Sequence, residues 1–336
     1  MAALIVVTAA LAAAQPPGSA GERFEFHEDH MATRFRIVVY VADAGAAKDA
    51  AAAAFARIAE LNRIMSDYLQ DSELMRLGRM AHAAATPVSP DLWTVLVRSE
   101  EISRLTEGAF DITAGPIVRL WRRARRTREV PTPERIADAR ALVDYRFIKL
   151  DPATHSVRLK KPGMQLDLGG IAKGYAAEAA QTVLRQRGIV RALVAAGGDI
   201  VVADPPPNAE GWRIGITPLG SESDSSPTLS LRNHGISTSG DTEQYVEIGG
   251  KRYSHIVDPR TGEALTERTQ VSVIAVDGTT SDALATGLSV LGVEKGLAVV
   301  ERMPGVSAWF VSKKNDARIE RRSKGFPDFI PASLQR

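Results

Sequence analysis

The sequence contains no cysteine among its 336 residues. This absence excludes disulfide bonds, thiolate metal sites, a thiol nucleophile and a lipid anchor on cysteine. The formal net charge is only +2, so the charge of the whole molecule does not indicate nucleic-acid binding. With 44% hydrophobic and 24% charged residues, the chain has an ordinary globular composition, sufficient for one large core or two modest ones.

Long hydrophobic runs are also scarce. Residues 1–20 contain an apolar run of signal-peptide length that ends in small residues near Ala12 to Ala14, and this run is too short to span a bilayer. No Lys or Arg follows Met1 within the stretch, although a signal peptide usually starts with positive charge. We expect residues 1–20 to be an export signal, with a disordered cytosolic leader as the alternative. No later run reaches about 18 apolar residues, so residues 21–336 are expected to form one soluble unit.

The spacing of apolar residues and turn formers predicts a mixture of strands and helices. Strands are expected at 35–41, 147–150, 156–159, 165–168, 192–196, 200–203, 245–248, 251–255, 270–276 and 307–311. Helices are expected at 46–61, 90–106, 133–142, 171–187 and 280–291. The two kinds of element do not alternate strictly, which favours an α+β fold over a doubly wound parallel sheet.

The stretch D-L-G-G-I-A-K-G-Y, residues 167–175, places an acid, glycines and a lysine at the start of a predicted helix. It is not a P-loop, because that motif has its lysine after the last glycine. The glycines would allow a ligand to approach the backbone, the helix N-terminus would attract an anion, and Lys173 would add positive charge. The alternative is a plain corner between a strand and a helix.

Three further stretches carry candidate functional side chains. In S-D-A-L-A-T-G-L, Asp282 and Thr286 share one helix face and offer oxygen ligands suited to Mg²⁺, although a helix-dipole acid and a carbonyl-bonded threonine would look the same. In Y-S-H-I-V-D-P-R-T-G-E, His255 is a general base, a ligand contact or a half-buried structural histidine. In G-A-F-D-I-T, Phe110 and Asp111 either line a cleft or start a structural element.

Two other polar clusters receive simpler interpretations. The basic run W-R-R-A-R-R-T-R, residues 121–128, is interpreted as a solvated, flexible segment, with an anion or partner contact as the alternative. The tetrapeptide H-E-D-H, residues 27–30, is one residue short of the metalloprotease pattern H-E-x-x-H. We therefore interpret it as a polar lead-in and not as a zinc site.

Seven stretches, in their order and spacing, resemble the ApbE family, the FAD:protein FMN transferases. They are M-A-T-R-F-R-I (31–37), Y-L-Q-D-S-E-L-M-R-L (68–77), G-A-F-D-I-T-A-G-P (108–116), D-L-G-G-I-A-K-G-Y-A-A-E (167–178), A-G-G-D-I (196–200), Y-S-H-I-V-D-P-R-T-G (253–262) and S-D-A-L-A-T-G-L (281–288). The resemblance implies an α+β, T-fold-like catalytic unit with mixed sheets and packed helices over residues 21–336. It also implies Mg²⁺-dependent transfer of FMN from FAD, through a phosphoester, to a Thr or Ser of an acceptor flavoprotein, with release of AMP on the periplasmic side.

The resemblance further implies the site residues. FAD is expected to contact Met31, Tyr68, Ala109, Phe110, Asp111, Asp167, Lys173, His255 and Ile256. Mg²⁺ is expected at the carbonyls of Gly170 and Ala285, the carboxylate of Asp282 and the hydroxyl of Thr286, in keeping with its preference for few carboxylates, phosphate oxygens and water. His255, Asp282 and Thr286 form the expected catalytic group, with His255 assisting proton transfer from the acceptor hydroxyl.

Three positions depart from the family's common pattern. Ala32 stands where glycine is common, Glu178 where aspartate is common, and Thr242 where an aromatic residue is usual. The extra methyl of Ala32 and the missing ring at Thr242 bear on flavin binding, and none of the three is an expected metal ligand. The absence of cysteine also separates this chain from the family's lipoprotein members.

The sequence leaves the reaction partly open. A Mg²⁺-dependent FAD pyrophosphatase would use the same site with water as the nucleophile and would release FMN and AMP. A non-catalytic FAD-binding or storage protein would bind FAD and release no AMP, and a scaffold for a redox partner would leave the metal set unexplained. The resemblance implies that the acceptors are FMN-binding subunits of membrane redox pumps or other exported flavoproteins.

Overall fold

The computed structural model describes residues 21–219, 226–240, 245–314 and 317–330. The expected export signal at 1–20 and the departure at Thr242 lie outside the described residues. None of the described helices is both long enough and apolar enough to cross a membrane.

The elements are numbered along the chain. The strands are β1 (Glu22–His30), β2 (Thr33–Val41), β3 (Thr86–Pro87), β4 (Ile148–Asp151), β5 (Ser156–Leu159), β6 (Ala192–Ala196), β7 (Asp199–Val202), β8 (Trp212–Gly215), β9 (Thr228–Leu231), β10 (His234–Gly240), β11 (Tyr245–Ile248), β12 (Lys251–Ser254), β13 (Arg268–Ala275), β14 (Ser307–Lys314) and β15 (Ala317–Arg322). The α-helices are α1 (Ala44–Met65), α2 (Glu73–Met80), α3 (Pro90–Leu105), α4 (Gly115–Thr127), α5 (Pro133–Arg140), α6 (Ala172–Gln186), α7 (Gly278–Leu291) and α8 (Val293–Val300).

An antiparallel sheet forms the centre of the described structure, in the strand order β1-β2-β6-β7-β10-β13-β14-β15. Its inner strands are buried on both faces. In β2, Phe35, Ile37 and Val39 pack into one core layer and Val38 packs into the other, as the two-residue period of a strand requires. Shorter antiparallel sheets, β3-β5-β4, β8-β9 and β11-β12, lie outside this sheet. Every described strand pair is antiparallel, and helices are not interleaved as in a doubly wound fold, so the α+β prediction is confirmed.

Helices α1, α3, α6 and α7 form the layer on one face of the central sheet. Helix α7 is buried almost all round because it lies between the sheet and the helices α3 and α6. Its start is fixed by Asp277, whose carboxylate accepts the backbone N–H of Thr280 at 2.6 Å, an N-cap of the usual kind. The helix that carries the predicted metal ligands is therefore one of the least mobile parts of the core.

A separate apolar cluster joins α4 and α5 to the β11-β12 hairpin. Trp121 of α4 stacks on Tyr253 of β12 with ring centroids 5.0 Å apart. Its indole N–H also donates to the carbonyl of Gly262 at 2.9 Å. These contacts hold the segment that carries His255 against α4.

Two sequence interpretations are wrong. Residues 165–168 form no strand, because they pair with no neighbour along a ladder; Leu166 and Leu168 alternate into the core and imitate a strand pattern. The basic run 121–128 is not a flexible segment but the second half of α4, since Trp121 and Ala124 are buried on one face of the helix.

Several other elements were not predicted from the sequence. The H-E-D-H tetrapeptide is the end of the edge strand β1. Its first three residues are exposed, whereas the His30 ring packs on Phe35 and Phe55. Helices α2 and α8 are short, at eight residues each, and strand β15 is polar and exposed. Short or polar elements carry weak periodicity, so only pairing with their neighbours reveals them.

Replacing Gly174 with Ala should destabilise the fold by about 1–3 kcal/mol through overpacking. A Cβ at Gly174 of α6 would lie 2.7 Å from the carbonyl carbon of Gly278 and 2.8 Å from Cβ of Asp282 in α7. Thermal and urea unfolding would measure the loss.

The matched control is Gly78→Ala in α2. There a Cβ would meet nothing closer than 3.9 Å, and alanine is the better helix former. We expect G78A to be neutral or stabilising. Equal stability of G174A and G78A would contradict a close α6–α7 crossing.

Candidate active site

One large cleft lies beside the central sheet, with a volume of about 1060 Å³, which is at the upper end of the range for small-ligand sites. It collects nearly all of the residues implied by the family resemblance: Met31, Tyr68, Ala109, Phe110, Asp111, Asp167, Gly170, Lys173, His255, Ile256, Asp282 and Thr286. Ala285 is the exception, because it is fully buried in the core of α7. Its carbonyl accepts the hydroxyl of Ser289 at 2.8 Å.

The glycine turn lies directly against α7. A Cβ at Gly170 would lie 2.8 Å from Oγ1 of Thr286, so only glycine leaves room at this position. On the next turn of α7, the Asp282 carboxylate accepts the backbone N–H of Gly174 at 3.0 Å. Oγ of Ser239 lies 3.4 Å from Oγ1 of Thr286. The fold thus brings a carboxylate and a hydroxyl of α7 next to the backbone of the glycine turn, which is distant in sequence.

The ammonium group of Lys173 is already paired within the protein. It contacts the Asp199 carboxylate and lies 3.7 Å from Oδ2 of Asp282. Burial opposes the lysine charge, but the two carboxylates outweigh burial and raise the pKa of Lys173 above its usual value. Lys173 therefore stays protonated and compensates the acids on the floor of the cleft.

Asp282 is the buried acid of this group. Its side chain is only 3% exposed. Burial and the neighbouring Asp199 raise the pKa of Asp282 to about 7, against the opposing effect of Lys173. Since one lysine serves two carboxylates, an added cation would be stabilised here.

The buried carboxylate of Asp111 has a structural role. Its carboxylate accepts the backbone N–H and the hydroxyl of Thr113, at 2.8 and 2.7 Å, and the N–H of Tyr145 at 2.8 Å. Burial nevertheless raises the pKa of Asp111 to about 6. These bonds fix the loop that presents Ala109 and Phe110 to the cleft.

Two of the family departures are visible in the structure. Met31 and Ala32 form the turn between β1 and β2, with φ of 48° and 58°, values that favour glycine in a two-residue hairpin. Alanine at position 32 therefore costs about 1 kcal/mol of backbone strain. Glu178 lies outside the cleft, where it accepts the hydroxyl of Thr279 at 2.7 Å, so this departure does not alter the site.

Sequence reasoning missed four charged residues of the cleft: Asp67, Arg122, Arg125 and Asp199. The two arginines belong to the basic run, and Asp199 belongs to the A-G-G-D-I stretch. A helical reading of residues 115–127 would have placed Arg122 and Arg125 one turn apart on one face. No local signal marks Asp67.

The described residues contain no group of three or more His, Cys, Asp or Glu side chains arranged to hold a metal ion. A metal at this site would therefore depend on hydroxyl, carbonyl and substrate oxygens in addition to Asp282. Such a donor set is typical of Mg²⁺ and unlike that of zinc.

Replacing Asp282 with Asn should change how the stability of the metal-free protein depends on pH. The pKa of Asp282 is about 7 in the folded protein and about 3.9 in an unfolded chain. Between these values the folded state holds the extra proton, so the stability from this group falls as pH rises towards 7. Asparagine cannot titrate.

We expect the stability of D282N relative to the unaltered chain to be higher at pH 8 than at pH 5, by at least about 1 kcal/mol. Urea unfolding in the presence of EDTA measures both chains. A stability difference that is equal at the two pH values would contradict the raised pKa.

Comparisons with known proteins show the family of this chain. The sequence profile of the ApbE family matches residues 31–310. The FAD:protein FMN transferase of Klebsiella pneumoniae is 33% identical over 89% of this chain and 87% of its own length, and that of Escherichia coli K12 is 34% identical over 80% and 78%. The structure of the flavin transferase ApbE from Vibrio cholerae is 31% identical, with a TM-score of 0.82 over 92% of this chain and 100% of that one. This chain belongs to the ApbE family.

Proposed function

We propose that this chain transfers FMN from FAD to a Thr or Ser hydroxyl of an acceptor flavoprotein, forming a phosphoester and releasing AMP. The observation that carries the proposal is the large cleft, which unites twelve of the thirteen positions implied by the resemblance. Membership of the ApbE family, whose relatives are named FAD:protein FMN transferases, supports the same conclusion. The volume of the cleft, about 1060 Å³, suits a dinucleotide better than a small metabolite.

Mg²⁺ is the proposed metal of the reaction. The Asp282 carboxylate and the Thr286 hydroxyl would hold it, together with the carbonyls of Gly170 and Ala285. Three of these residues fit such an ion, because Gly170, Asp282 and Thr286 all line the cleft and Lys173 offsets the Asp282 charge only in part. The fourth, Ala285, lies in the core, and its carbonyl accepts the Ser289 hydroxyl. When bound, Mg²⁺ would neutralise the charge of the FAD pyrophosphate.

The side chains of the cleft supply the remaining functions. His255 lies at the end of β12, and its segment is held in place by the Trp121 contacts. We assign it the removal of the proton from the acceptor hydroxyl, whose oxygen attacks the FMN phosphorus of FAD; the pyrophosphate P–O bond breaks and AMP leaves. Lys173 stays protonated and stabilises negative charge on the cleft floor. Met31, Tyr68 and Phe110 offer apolar and aromatic surface to the rings of FAD.

The place of the reaction is part of the proposal. Residues 1–20 have the composition of an export signal, which supports action on exported flavoproteins in the periplasm. The N-terminal sequence of the protein recovered from the periplasm would test this point. A protein that retains residues 1–20 in the cytoplasm would contradict it.

The purified chain should release AMP and increase the mass of an FMN-accepting domain by one FMN. The reaction mixture contains the chain without residues 1–20, FAD, Mg²⁺ and the acceptor. Asp282→Ala and Thr286→Val should both reduce transfer by about a hundredfold or more. Chromatography of the nucleotides and intact mass of the acceptor measure the two products.

Thr280→Val is the matched control for Thr286→Val. Thr280 lies on the same helix, but its hydroxyl accepts a hydrogen bond from Arg98 and does not line the cleft. Transfer by this variant should be unchanged. AMP release without a labelled acceptor would favour the pyrophosphatase, and FAD binding without either product would favour a binding protein.

His255→Ala should transfer FMN about 10²–10⁴-fold more slowly at saturating FAD, which is the usual contribution of a positioned general base. Isothermal titration with FAD and single-turnover transfer separate an effect on binding from an effect on transfer. Full transfer activity with normal FAD binding would remove His255 from the proposed mechanism.

A further inference from the structure

Arg122 of α4 connects two segments that contribute to the cleft. One arm of its guanidinium donates to the carboxylate of Asp67, and the other donates to Oδ2 of Asp167 at 2.9 Å. Asp67 belongs to the loop that follows α1, and Asp167 opens the glycine turn. The two acids are a hundred residues apart in sequence, and Arg122 joins them in the folded chain.

The bridge also fixes an aromatic residue at the rim. The guanidinium carbon of Arg122 lies 4.6 Å from the ring centroid of Tyr68, which is within the range of a cation–π contact. Tyr68 is 64% exposed, so few other contacts hold its ring. The cation–π contact with Arg122 therefore restrains a largely exposed aromatic side chain.

These contacts differ from an ordinary surface ion pair. The side chains of Arg122, Asp67 and Asp167 are only 21%, 13% and 11% exposed. Burial opposes the arginine charge, yet the two carboxylates outweigh it and raise the pKa of Arg122. A pair that is this enclosed is screened little by salt and holds its geometry better than an exposed one.

The far end of the bridge reaches the backbone of the glycine turn. Oδ1 of Asp167 accepts the N–H of Gly169 at 2.8 Å, while Oδ2 accepts Arg122. Gly169 precedes Gly170, whose Cα lies against the Thr286 hydroxyl. Arg122 is itself anchored, because the neighbouring Trp121 is buried against Tyr253 and Gly262.

We propose that Arg122 is a positioning residue that holds Tyr68 and the glycine turn in the arrangement that binds FAD. It acts through Tyr68 and Asp167, and both of its carboxylate bonds are internal to the protein. The inference rests on the proposed function, since it concerns the binding of FAD to the same cleft. Arg122 thereby has a specific role within the basic run of α4.

The test compares the dissociation constant of FAD with the rate of transfer. Arg122→Met keeps the length and apolar stem of the side chain but removes both hydrogen bonds. We expect FAD to bind about 10–100-fold more weakly, the usual effect of losing an outer partner of a site. The rate of transfer at saturating FAD and acceptor should change less than the affinity, because saturating FAD compensates for weaker binding.

Arg123→Met is the matched control. Arg123 is the next residue of the same helix, is exposed, and does not line the cleft, so R123M removes the same charge without breaking the bridge. Its FAD affinity should equal that of the unaltered chain. Arg122→Lys should be intermediate, because an ammonium group keeps the charge but lacks the planar fork that spans two carboxylates.

A double-mutant cycle distinguishes positioning from direct contact with the ligand. If Arg122 acts through Tyr68, then R122M should weaken FAD binding much less in a Tyr68→Leu background than in the unaltered chain. Additive effects, or a loss of transfer rate with unchanged FAD affinity, would overturn the proposal. Asp67→Ala provides a second route, since it removes one arm of the bridge and leaves Arg122 in place. Unchanged FAD affinity in both D67A and R122M would also overturn the proposal.

The same FAD titration distinguishes a failure of the proposed function from a failure of the proposed role of Arg122. An unaltered chain that binds no FAD contradicts the proposed function itself. An unaltered chain that binds FAD and transfers FMN, with an R122M variant that does both equally well, contradicts only the positioning role of Arg122.

Discussion

The close crossing of α6 and α7 is the contact on which the cleft depends. Gly174 lets the two helices approach until a Cβ there would lie 2.8 Å from that of Asp282, and its N–H donates to the Asp282 carboxylate. This crossing brings the glycine turn at the start of α6 beside Thr286. A wider crossing would separate Gly170 from Asp282 and Thr286, and the oxygen donors would no longer share one small space.

The electrostatics of the cleft follow from that geometry. Packing places Asp282 in the interior, where a charged carboxylate is unfavourable unless it is compensated. Lys173 compensates it in part and shares its charge with Asp199. The floor of the cleft therefore holds more acid than base, which suits a cation. At the rim the balance is different, because Arg122 satisfies Asp67 and Asp167 while Arg125 has no acidic partner among the described residues.

Much of the framework was predictable from local patterns. Helices α1, α3, α6 and α7 and most strands of the central sheet have long runs of regular apolar spacing, and the sequence places them within a few residues. Residues 165–168 were wrongly predicted to form a strand, because burial alternates there without any strand pairing. The basic run was wrongly interpreted because its five arginines suggested a solvated segment. The buried Trp121 instead belongs to a helix that packs on the hairpin before His255.

The sequence by itself determined the α+β class, the family and the identity of the candidate ligands, because glycine turns, helical spacing and hairpin signals are local properties of the chain. Only the tertiary structure decided how these residues are used. It showed that Lys173 is held by two carboxylates and that Asp111 anchors its own loop. It also showed that Arg122 joins two segments far apart in sequence. These relations are set by burial and by contacts between distant residues, and no short stretch of sequence contains them.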